Sequence, residues 1–142
     1  MNGPSASGES APEIVLRQLA AERDGLTKCW SIAWAIVNKG TDSLEISAVR
    51  LPHGQFKSDE HRFDPPLDLA TGASRQFNVC VSCEEPVGLV TENAFVIFAA
   101  RWSGEAWRIF VRIRVIVNAA GKPETETQLI TTQQVGFSGV AS

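Results

Sequence analysis

The chain has 142 residues, 44% of them hydrophobic and 20% charged. That is enough apolar sequence for one ordinary domain with its own core, and it excludes a wholly disordered chain. Its 13 basic and 16 acidic residues leave a net charge of −3, so no general attraction to nucleic acid or to an anionic membrane is expected.

Nothing in the sequence approaches the apolar length needed to cross a bilayer, and residues 1–12 lack both the basic start and the apolar centre of a secretory signal. The protein is therefore expected to be cytoplasmic, without a membrane. Residues 1–12 are mostly Gly, Ser, Ala and Pro with little apolar bulk, which predicts a disordered tail.

Residues 13–23 read two ways. Val15, Leu19 and Glu22 suit a helical stripe, whereas Ile14, Val15 and Leu16 suit a strand. Asp24-Gly25, placed before a long β-like run, is hairpin chemistry and favours the strand. From 26 to 38 the chain alternates Trp30, Ile32, Trp34 and Ile36 with Ser31, Ala33 and Ala35, a strand with one heavy apolar side. Asn38-Lys39-Gly40-Thr41-Asp42 predicts a turn. A strand over 43–51 ends at Pro52 and Gly54. The polar stretch 57–66, closed by Pro65-Pro66, is expected to be the longest loop of the first half, and Leu67-Asp68-Leu69 a short edge strand. Residues 74–83 alternate again, with Phe77, Val79 and Val81 in phase.

The strongest signal is 94–118, in which two runs of β-branched and aromatic residues flank Ser103-Gly104-Glu105 and predict a β-hairpin. In its second run Trp107, Ile109, Val111, Ile113, Val115 and Val117 share one face, which is assigned to the core. Arg108, Phe110, Arg112, Arg114 and Ile116 share the other. Beyond it, 119–127 is rich in turn residues, and 128–135 forms either a last edge strand, anchored by Phe137 and Val140, or a tail. Six or seven strands with short turns and at most one helix define an all-β, antiparallel β-sandwich. It occupies 13–118, between the tail 1–12 and a C-terminal extension, 119–142.

Three segments, Trp34-Ala-Ile-Val-Asn38-Lys-Gly40, Leu44-x-Ile46-x-x-Val49 and Leu69-Ala-Thr-Gly72-x-Ser74, followed by alternating strands through Arg114, resemble a bacterial immunoglobulin-like domain of the cell-adhesion-related or accessory type. The resemblance covers about residues 14–118 and rests on turns and strands. It implies an immunoglobulin-like sandwich of about seven strands and a role in interaction or domain spacing. No cysteine pair brackets a central tryptophan as it does in antibody domains.

Four features bear on function. The arginine phase of the hairpin, Arg108, Phe110, Arg112 and Arg114, with Arg101 across the turn, is the candidate face for a protein partner, because arginine and aromatic residues anchor interfaces. Cys80-Val-Ser-Cys83 has the spacing of half a zinc site, with Cys29, His53 and His61 as the candidates for the two further ligands. On an extended strand Cys80 and Cys83 point to opposite faces, so the site requires the strand to end near Ser82, which Glu84-Glu85-Pro86 favours. With Cys29 they make three cysteines, an odd number that describes no disulfide framework.

Four tryptophans without a tyrosine admit a carbohydrate-binding reading, with Trp102 beside the turn as the ring expected to be exposed. Finally, Val135-Gly-Phe-Ser-Gly-Val140 lacks the spacing of a nucleophile elbow, and no nucleophile sits with His53 or His61 and the acids near them. The expectation is a non-catalytic interaction or accessory module without cofactor, binding a protein rather than nucleic acid and able to pair with a second copy through an edge strand. The alternatives are a small zinc-binding or redox-sensing protein using Cys80 and Cys83, and a carbohydrate-binding module.

Overall fold

A computed structural model describes residues 11–26, 29–52 and 54–135. The tail 1–10, His53, Phe137 and Val140 lie outside these described residues. Among the described residues eight strands follow one another: β1 (Ile14–Arg23), β2 (Trp30–Asn38), β3 (Leu44–Pro52), β4 (Lys57–Leu69), β5 (Ser74–Val81), β6 (Val90–Trp102), β7 (Glu105–Val117) and β8 (Pro123–Gln134). They form two antiparallel sheets, β1-β2-β5 and β4-β3-β6-β7-β8. Among the described residues no helix is long and apolar enough to cross a membrane.

Alternation accounts for the core, because successive strand residues face opposite sides. From the smaller sheet Trp30, Ile32, Trp34 and Ile36 of β2 point inward with Phe77, Val79 and Val81 of β5. Val96, Phe98, Ala100 and Trp102 of β6 and the six predicted residues of β7, from Trp107 to Val117, meet them from the larger sheet. Phe63, Phe77 and Phe98 stack edge to face in sequence at 5.4 and 5.9 Å, linking the two layers. Residues 14–23 take the strand alternative and pair with β2. The β6–β7 hairpin closes through Ser103 and Gly104, both at positive φ (54° and 78°), as a two-residue turn matching the strand twist requires.

Three expectations change. Residues 57–66 are strand rather than loop: β4 is an edge strand with a partner on one side only, and such a strand tolerates polar residues and proline. Its prolines sit where the ladder opens, since Ile46 pairs with Leu67 and Ala48 with Arg62. That leaves Phe63, Asp64, Pro65 and Pro66 facing Ser47 alone. The C-terminal strand begins at Pro123, within the stretch expected to be turn, and pairs with β7 along its whole length. The strands number eight among the described residues, with β8 added beside the hairpin.

The free edges of the two sheets meet. Gln18 of β1 donates from Nε2 to the Pro123 carbonyl and accepts at Oε1 from the Thr125 amide and hydroxyl, all at 2.8–3.0 Å. On the opposite side Lys57 and Ser82 exchange backbone hydrogen bonds of 3.0 and 2.7 Å. Both seams occupy backbone and side-chain groups that would otherwise template pairing with another chain.

Asn38 is the buried polar residue that ties the turns together. It is fully enclosed, and its Nδ2 donates to the carbonyls of Asp42 (2.9 Å) and Leu69 (3.0 Å) while Oδ1 accepts from the Gly40 amide (2.9 Å). Its backbone adds bonds to Ala73 and Gly72, so the β2–β3 turn and the β4–β5 turn share one anchor.

Candidate interaction face

The larger sheet turns one side to the core and the other outward, and the register carries every arginine of interest to the outer side. Arg101 lies opposite Ala106, Ala99 opposite Arg108, Ile97 opposite Phe110 and Phe95 opposite Arg112. Arg101, Arg108, Phe110, Arg112 and Arg114 therefore share one face, as their alternation predicts, and none is fully buried. The register also brings in two arginines that local periodicity does not reach. Arg50 of β3 lies opposite Ile97, and Arg62 of β4 opposite Ala48, which is itself opposite Ala99. The only sequence signal for these two is that each lies on a polar phase of its own run.

The arginines are not equivalent. Arg114 is neutralised by Glu92 (3.0 Å) and Glu126 (3.6 Å). The bulge at 92–93, where Asn93 adopts a φ of 59°, stands beside it. Arg62 meets Glu60 at 3.4 Å, with both side chains largely in solvent; exposed pairs of this kind contribute about 0–1 kcal/mol. Arg101 donates to the Gly104 carbonyl at 3.2 Å and so belongs to the hairpin turn. Arg50, Arg108 and Arg112 have no carboxylate within 4.0 Å among the described residues. Between them Ile97 is buried and Phe110 and Phe95 are half-buried, so the centre of the face is apolar with cationic residues on both sides.

The cysteines correct the sequence expectation. Cys29, the residue just before β2, and Cys80 of β5 form a disulfide, with Cα atoms 5.9 Å apart. Cys83 is a free, buried thiol. Burial pushes its pKa upward, and the nearby Glu85 carboxylate adds to the rise against an opposing backbone hydrogen bond, so the reactive thiolate is disfavoured. Cys80 lies on the exposed side and Cys83 on the core side, as strand alternation requires, and the two do not converge on one ion. His61 packs edge to face on Phe63 at 5.0 Å. No group of three metal-ligating side chains occurs among the described residues.

The tryptophans change as well. Trp102 is 4% exposed and Trp107 9%, and their rings meet edge to face at 5.8 Å. The turn lies beyond Trp102, but its side chain shares the inward phase of Phe98 and Ala100. Trp30 and Trp34 are likewise buried, so no tryptophan offers an exposed face for stacking on a sugar. Comparison with protein-family models, curated proteins and solved structures finds no match to this chain.

Proposed function

We propose that the chain is an immunoglobulin-like, non-catalytic interaction module whose partner surface is the outer face of the five-stranded sheet. The observation that carries this reading is the cluster of Arg50, Arg108 and Arg112, without carboxylate partners among the described residues, around an apolar centre of Ile97, Phe95 and Phe110. Cations unpaired within the fold and set beside apolar groups have most to gain from a partner that supplies both carboxylates and apolar contact. The division of the first seven strands into 1-2-5 and 4-3-6-7 supports the immunoglobulin-like assignment, with β8 as an addition. A fold of this kind leaves the function to the surface it presents. The Cys29–Cys80 bond supports maturation in an oxidising compartment in place of the cytoplasm.

Affinity capture with the full chain, compared with Arg108→Glu/Arg112→Glu, tests the reading. Arg114 is left intact because it holds Glu92 and Glu126. Proteins retained by the native chain and lost from the variant are the expected result. A partner set indifferent to the two reversals refutes the face.

A further inference from the structure

We infer that the outer face carries a specific acceptor for an acidic peptide: a recess that seats one carboxylate between arginines of three strands, beside an apolar step for a neighbouring side chain. The inference rests on the outer face being the partner surface and adds the chemistry of what it takes.

The register builds the recess. Arg62, Ala48, Ala99 and Arg108 lie in one row across β4, β3, β6 and β7. Three strand spacings separate the two arginines, roughly 14 Å. The two alanines between them have no side chain tall enough to fill the space, and Ser47 deepens it. Ser47 is the extra residue of a bulge in β3, with no partner on β4 and no pair on β6. Its hydroxyl is turned down to the Ala99 carbonyl at 3.1 Å. A bulge of this kind bends its strand and re-aims the adjoining side chains. The result is a depression of about 190 Å³ between Arg50, Arg62 and Arg108. Arg50 enters from the next row, opposite Ile97.

Charge and polarity select the occupant. Three arginines against Glu60 alone leave the recess cationic, and Glu60 engages only Arg62. Guanidinium groups bind carboxylates through paired, charge-assisted hydrogen bonds. In the neighbouring row Ile97 and Phe110 form an apolar step, one side-chain repeat away along the strand, about 6.7 Å. An extended peptide places alternate residues on one side at that same spacing, so the matching element is Asp or Glu followed or preceded, two residues away, by Ile, Leu, Val or Phe. A polyanion fits less well, because Glu60, Glu92 and Glu126 interrupt any continuous positive track across the sheet.

The test is display of random dodecapeptides against the immobilised full chain, followed by fluorescence-anisotropy titration of the best synthetic peptide. Enriched peptides are expected to carry an acid two positions from an aliphatic or aromatic residue. Changing that acid to its amide should weaken binding about tenfold or more, the scale of one lost charge-assisted pair. Arg50→Ala/Arg108→Ala should do the same with its melting temperature preserved, and Arg62→Ala less, since Glu60 already engages it. Absence of enrichment, enrichment of basic or uncharged peptides, tighter binding of a short oligonucleotide, or acidic peptides indifferent to Arg50→Ala/Arg108→Ala would each overturn the inference. If Arg112→Glu abolishes binding and Arg50→Ala/Arg108→Ala does not, the recess falls and the outer face stands. If neither matters, both fall.

Discussion

Asn38→Ala is expected to destabilise the domain by about 3 kcal/mol. The side chain, itself fully buried, makes three hydrogen bonds, to the Asp42 and Leu69 carbonyls and from the Gly40 amide, of which the bonds to Leu69 and Gly40 are closed to solvent. A net value of about 1 kcal/mol per bond gives the sum, and buried partners left without water raise it rather than lower it. Against a typical total of roughly 5–15 kcal/mol, that is a fifth to more than half of the stability, and at this chain length the melting temperature should fall by roughly 10–15 °C. Urea unfolding and calorimetry measure it, with the urea slope unchanged if only the native contacts are lost. Asn38→Asp separates hydrogen bonding from volume: the size is kept, but an ionised carboxylate faces two carbonyls it cannot satisfy. Burial would raise that carboxyl above its unfolded value of about 4. The unfolded state then releases its proton first, and the variant loses further stability as pH rises from 4 toward 7. A loss below about 1 kcal/mol for Asn38→Ala, or an Asn38→Asp deficit that does not grow with pH, would refute the role assigned to this anchor.

The remaining predictions concern sulfur. Without reductant, thiol titration should find no fast-reacting cysteine in the folded chain and one, Cys83, after unfolding, because Cys29 and Cys80 are bonded and Cys83 is buried; three reactive thiols on unfolding would contradict the pairing. Cys29→Ala/Cys80→Ala should cost up to about 4 kcal/mol, the chain-entropy value for a loop of the 51-residue separation they close. The raised pKa of Cys83 gives a third test. Above the ordinary thiol value of 9.0 the unfolded state ionises first, so stability drops with pH until the folded thiol also titrates. Cys83→Ala should flatten that part of the pH profile, and an unchanged slope would assign the loss to other groups.

How much was legible in the sequence follows from the range over which each force acts. Alternation is a local property, so β2, β5, β6 and β7 and their inward residues could be read directly, and so could the arginine phase of β7 and the opposite orientations of Cys80 and Cys83. Asn38-Lys39-Gly40 was readable as a turn; the enclosure of Asn38 was not, because its partner Leu69 lies far along the chain at the end of β4. Residues 57–66 and 123–127 looked like loop because their side chains are polar, and only the ladder partners β3 and β7 make them strands.

The arginine face shows the division most clearly. The sequence by itself determined that Arg108, Arg112 and Arg114 share a side, since a strand's period of two depends on nothing beyond the strand. Only the tertiary structure decided which of them is spent on Glu92 and Glu126, that Arg50 and Arg62 stand beside Arg108 over two alanines, and that Cys80 takes Cys29 rather than Cys83. Those outcomes depend on sheet order, register and a bulge at Ser47. They join residues far apart in the chain, where no local pattern records which strands will be neighbours.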